Sequence, residues 1–118
     1  MENKKSLSEE DIKLQYITPA LNNAGWDNQH MRMEYAFTDG RIIFQGQSSH
    51  ARKAKKYADY LPQAEPNKFP IAIVEAKDNN HTISGGLGQA KTYAEILDLK
   101  FAYSSNGDGF YEHDLLTG

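Results

Sequence analysis

Residues Ile71-Ala72-Ile73-Val74-Glu75-Ala76-Lys77 constrain the fold most. Four consecutive apolar residues leave neither face of an extended strand polar. Such a strand belongs in the middle of a sheet, covered on both sides. The predicted strand runs from Phe69 to Lys77, and Leu87, Ala90, Ala94 and Leu97 then mark an amphipathic helix. Leu99 to Ser104 reads as a second buried strand. Strand, helix and strand make a βαβ unit, whose two strands should be parallel with a right-handed crossover.

The remaining elements are placed around this unit. Ser8-Glu9-Glu10-Asp11 has the form of a helix-capping box. Leu14, Ile17, Leu21 and Ala24 follow at helical spacing, with Pro19 as a kink or restart and Gly25 as a stop. Asn28 to Tyr35 is ambiguous, Thr38-Asp39-Gly40 reads as a turn and Arg41 to Phe44 as a short strand. Tyr57 to Leu61 is a strand that should form a hairpin with Phe69–Lys77 through the Pro62–Pro70 turn. Asn106-Gly107-Asp108-Gly109 is a tight turn before a last strand, Phe110 to Leu115. The expected class is α/β, a mixed central sheet flanked by helices.

At 118 residues the chain fits one domain, 1–118. Hydrophobic residues at 39% and charged residues at 25% argue against disorder. The absence of cysteine excludes disulfides, thiolate zinc sites and a cysteine nucleophile. His30, His50, His81 and His113 lack zinc-site spacing. Met1 to Ser8 is polar and charged, with no apolar stretch of signal-peptide type, and no run approaches the roughly 20 apolar residues of a membrane span. The expected location is cytoplasmic, with no membrane partner. A net charge of -3 offers no general attraction for nucleic acid, so a DNA contact would need a local basic patch.

The chemistry concentrates at the end of the central strand. Glu75 and Lys77 are two apart and share a strand face. Burying either charge alone is costly, so they pair or hold something. Across the expected hairpin, roughly 5 Å away, Asp59 can face Glu75. Two carboxylates that close repel unless a cation separates them, and a hard oxygen-ligand ion such as Mg²⁺ suits the pair. Lys77 could then orient water or neutralise charge on a phosphate. The competing reading is a structural Glu75–Lys77 ion pair with Asp59 as a solvated strand end.

Asp59 followed by Glu75-Ala76-Lys77 resembles the active-site pattern of the PD-(D/E)xK nuclease superfamily. More closely, the chain resembles the N-terminal nuclease domain of the type I restriction enzyme R subunit, HsdR. The resemblance covers most of the chain. It rests on Ser8-Glu9-Glu10-Asp11, Ala24-Gly25-Trp26, Thr38-Asp39-Gly40-Arg41-Ile42, Lys56-Tyr57-Ala58-Asp59-Tyr60, Ile73 to His81, Gln89 to Ala94 and Ser104 to Phe110, in that order. It implies a restriction-endonuclease-like fold and Mg²⁺-dependent cleavage of double-stranded DNA. Asp59 and Glu75 would be metal ligands, Lys77 the catalytic lysine and Glu9 an additional acidic ligand, with Glu10 and Asp11 close by. Gln89 and Tyr93 match a Gln-x-x-x-Tyr motif that supports the site or places DNA. Ala58 stands where the pattern has proline, but that proline is no ligand. The resemblance further implies an N-terminal fragment of a longer chain, with ATP used only by a motor outside it. It also implies methyltransferase and specificity subunits as partners. The alternative is a non-catalytic DNA-binding or subunit-docking module on the same fold.

Weaker signals remain. His50, Arg52, Lys53, Lys55 and Lys56 form a basic run that leads into Asp59 and either contacts phosphates or is ordinary solvated surface. Gly85-Gly86-Leu87-Gly88-Gln89-Ala90-Lys91-Thr92 falls one glycine short of a phosphate loop, and its Lys91 and Thr92 fall inside the predicted helix. A DNA phosphate at Gly85 and Gly86, on the helix N-terminus, is the better expectation for that segment.

Overall fold

The computed structural model describes residues 3–27, 29–38, 55–63 and 70–115. The expected turn and strand at 39–44, the basic residues His50, Arg52 and Lys53, and the inside of the Pro62–Pro70 turn lie outside them.

The N-terminal rod begins as anticipated. Ser8 Oγ accepts the Asp11 N–H at 3.1 Å, and Asp11 accepts the Ser8 N–H at 3.3 Å, which caps α1 (Glu9–Ile12). The next five residues, Lys13–Ile17, wind as a π turn before α2 (Thr18–Asn23), and the Thr18 N–H reaches back to the Lys13 carbonyl. A π turn advances each residue through a smaller angle than an α turn, which changes the phase of the apolar stripe. Ile12 and Ile17, five apart, both become fully buried. Leu14 and Ala24, expected on the apolar face, are exposed instead, Leu14 at 71%. Lys13 turns inward and is only 4% exposed. Pro19 sits in the first turn of α2, where its missing N–H costs little. Gly25, at φ +103°, ends the rod; it donates to Asn22 O and Trp26 donates to Leu21 O, the pairing of a Schellman stop.

Among the described residues, five strands form one sheet in the order β1-β2-β3-β4-β5. They are β1 (Met31–Phe37), β2 (Lys56–Pro62), β3 (Ala72–Ala76), β4 (Phe101–Ser105) and β5 (Phe110–Asp114). All neighbours are antiparallel except β3 and β4, which run parallel and are joined by α3 (Leu87–Leu97). The βαβ unit and the β2–β3 hairpin are therefore as expected. The central strand is shorter than the expected Phe69–Lys77, and Lys77 follows its end. The ambiguous region resolves into β1.

Both faces of β3 are covered. Val74 and Ala76 pack with Ile12, Ile17, Leu21 and Tyr60 under the N-terminal rod. Ile73 packs with Ala58, Leu61, Ala90, Ala94 and Ala102 under α3. Fully burying each isoleucine is worth roughly 1.5–3 kcal/mol. Residues an even number apart on a regular strand share a face. Yet Met31 joins the rod-side core and Phe37 the α3-side core, and Tyr60 and Ala58 divide in the same way. Both strands change face at one level, where Glu34 and Asp59 stand. Glu34 adopts φ +51°, a left-handed conformation unfavourable for a residue with a Cβ.

Candidate active site

The β2–β3 ladder pairs Tyr60 with Val74 and then opens. In the opening, side chains replace backbone bonds. Glu75 Oε2 accepts the Asp59 N–H at 2.9 Å, and Asp59 Oδ2 accepts the Ala76 N–H at 2.8 Å. Each carboxylate is thus clamped by the other strand. Both are buried, Asp59 at 9% exposure and Glu75 at 2%.

Their second oxygens diverge. Glu75 Oε1 accepts from Gln89 Nε2 at 2.6 Å, on α3. Asp59 Oδ1 accepts from Lys13 Nζ at 3.1 Å, on the N-terminal rod. Lys13 also reaches Glu34 and, at 3.4 Å, Glu10. Burial alone would push the Lys13 ammonium down, but its bond to Glu34 and the charge of Asp59 outweigh this and raise it. Burial and the charge of Asp59 push Glu75 up to about 7, against the lowering effect of the Asp59 N–H and Gln89.

Glu9 lies at the start of α1. Burial and then Asp59 push its carboxyl up, while Lys13 and Lys77 draw it down. The charge of Glu9 is also felt at Glu75. Lys77 lies just beyond β3, with its N–H bonded to Ser105 O at 2.9 Å. Among the described residues Glu75 and Lys77 form no ion pair, and Asp59 is no solvated strand end. The bland reading of these three residues therefore does not describe the fold.

Tyr93, one turn beyond Gln89, meets Phe37 edge-on with ring centroids 5.0 Å apart. Burial, then the charges of Glu75 and Asp59, raise its hydroxyl pKa. Gln89 and Tyr93 thus share the helix face that overlooks Glu75. Lys55 is exposed just before β2, and Lys56 is half-buried at its first position. The anion-site expectation for Gly85 and Gly86 fails. Gly86 N–H donates to Ser104 Oγ at 2.9 Å and Gly85 N–H to Thr82 O at 2.9 Å, so both donors are committed.

Lys13 and Glu34 are the site residues that the sequence does not disclose. The Pro19 signal marks an irregularity in the rod, but not which polar residue it turns inward. Nothing in Met31 to Phe37 marks Glu34 as left-handed.

Two carboxylates from adjacent strands supply hard oxygen donors, each oxygen retaining a second lone pair. Among the described residues no group of three or more His, Asp or Glu is gathered as a metal site. Mg²⁺ is commonly held by one or two carboxylates, with water and phosphate completing its shell, so the donor set fits such an ion.

Fold and site together define an α/β domain with a mixed sheet whose central ladder opens around two clamped carboxylates. No protein-family model matches the chain. It is 41% identical over 113 residues, 95% of its length, to the endonuclease subunit of the type I restriction enzyme EcoAI from Escherichia coli. A solved fragment assigned to the HsdR subunit of a type I restriction enzyme from Vibrio vulnificus is 45% identical, with a TM-score of 0.76 over 95% of this chain. The chain is therefore similar to one segment of HsdR subunits. It spans 14% of the Escherichia coli subunit and 22% of the solved chain.

Proposed function

We propose that this domain is a Mg²⁺-dependent endonuclease of PD-(D/E)xK type, hydrolysing phosphodiesters in double-stranded DNA within a type I restriction enzyme. The observation that carries the reading is the opened ladder, with Asp59 and Glu75 buried against each other and fixed by backbone N–H groups. Like charges held this close favour a cation between them. A bound Mg²⁺ would polarise the phosphodiester and ease deprotonation of water. Asp59 and Glu75 would hold the ion, with Glu9 adding negative charge from the rod. Gln89 fixes the rotamer of Glu75. Lys77 would orient the attacking water or offset charge on the phosphate. Lys55 and Lys56, with Arg52 and Lys53 before them, would neutralise DNA phosphates. ATP hydrolysis would belong to a motor outside these residues, and methyltransferase and specificity subunits would supply target recognition.

One observation favours the second reading, a non-catalytic DNA-binding or docking module: Asp59 already has a cationic partner in Lys13. The test is Asp59→Ala, Glu75→Ala and Lys77→Ala, made separately in the assembled restriction enzyme. The expected result is folded protein, unchanged ATP hydrolysis and cleavage reduced by about 100-fold or more, as when a positioned catalytic group is removed. Cleavage surviving all three changes would establish the docking reading.

A further inference from the structure

We propose that Lys13 is a built-in counter-ion that competes with the divalent cation for Asp59, so that metal entry requires its ammonium to withdraw onto Glu34 and Glu10. This rests on the reading of Asp59 as a metal ligand.

Three features carry it. First, the π turn over Lys13–Ile17 brings an otherwise helix-surface lysine into a site where it is 4% exposed. Its ammonium lies 3.1 Å from Asp59 Oδ1, the oxygen not used by the Ala76 N–H. Second, Glu34 keeps an unfavourable left-handed backbone at the level where β1 faces Asp59. Its carboxylate is bonded to the same ammonium. Strain of this kind persists only where the surroundings enforce it, and here it accompanies a second anchor for Lys13. Third, Asp59 does not need Lys13 to stay oriented, because Oδ2 is fixed at 2.8 Å by a backbone donor. Removing the ammonium therefore takes away a positive charge without releasing the carboxylate. Lys13 is thus a positioning and competing residue rather than a catalytic one.

The experiment is a Mn²⁺ titration of this chain by calorimetry, comparing wild type with Lys13→Met, Lys100→Met and Asp59→Ala. Methionine preserves the buried stem and removes the charge. Lys13→Met should bind Mn²⁺ about fivefold or more tightly than wild type, since a competing charge at contact distance is gone. Its melting temperature without metal should fall. Lys100→Met, which alters the net charge equally at an exposed position, should leave the affinity within about twofold. Unchanged or weaker binding by Lys13→Met, with wild-type binding abolished by Asp59→Ala, overturns the competition and leaves the nuclease reading standing. Binding by none of these proteins overturns both. If Lys13→Met does not fold, the ¹⁵Nζ resonance of wild-type Lys13 decides. It should shift over the Mg²⁺ range that raises the melting temperature, and a resonance unmoved while metal binds overturns the inference.

Discussion

The Glu75 carboxylate accepts hydrogen bonds from the Asp59 N–H and Gln89 and is still short of solvation. Burial first, and the charge of Asp59 second, raise its carboxyl from an ordinary 4.5 to about 7. A carboxyl raised on folding favours the protonated native state. Its contribution is complete below about pH 4.5 and is lost as the pH climbs through about 7. A shift of that size corresponds to on the order of 3 kcal/mol. Without divalent metal, the chain should therefore unfold at lower urea concentration at pH 8 than at pH 5. Glu75→Gln retains an acceptor for the Asp59 N–H and cannot ionise, so it should remove most of this dependence. Parallel pH profiles for the two proteins would show that the protons are taken up elsewhere.

The start of α3 is fitted to the sheet with no space to spare. A Cβ added at Gly86 would stand 3.1 Å from Ser104 Oγ and 3.5 Å from Glu75 Cβ. Ser104 is fully buried in β4 and accepts the Gly86 N–H, so it cannot step aside without losing that bond. Gly86→Ala should cost about 1–3 kcal/mol as overpacking, and should move Gln89 off Glu75. Two residues on, a Cβ at Gly88 meets nothing within 4 Å. Gly88→Ala should instead gain about 0.5–1 kcal/mol through helix propensity. Urea midpoints of the two variants check the pair, and a stable Gly86→Ala would show that α3 rides loosely on β3. These elements also mark what the sequence discloses. Apolar runs and stripes reveal β3, α3 and β4, while flanking turn signals delimit β5 and β2, the latter in spite of its change of face at Asp59. The rod changes period at Lys13, which is why Leu14 is misassigned to the core. β1 reverses its faces at Glu34 and loses the alternation that would have announced a strand. Asp59, Glu75 and Gln89 are legible as neighbours. Lys13 and Glu34 are not, because two local irregularities bring them in.

Across the whole molecule, charge decides how a polyanion could approach. The net charge is -3, and among the described residues Glu9, Glu10, Glu34, Asp59 and Glu75 interact in one region, where Lys13 and Lys77 are the cations they feel. DNA would be repelled from that region without cations at its approach. Lys55 and Lys56 stand at the entry to β2, four and three residues before Asp59, with Lys56 paired to Phe37 at the sheet edge. If they meet the DNA backbone, each contact releases counterions and adds about 0.9 to the slope of log affinity against log salt. Lys55→Ala with Lys56→Ala, in the endonuclease subunit carrying this domain, should therefore make that slope shallower by about 2. Affinity should fall by a similar factor for unrelated DNA sequences, because phosphates carry no base identity. Filter-binding or anisotropy titrations at several salt concentrations measure both quantities. An unchanged slope would place the phosphate contacts elsewhere on the subunit. A loss confined to one DNA sequence would mean that these lysines read bases, which a purely electrostatic approach does not permit.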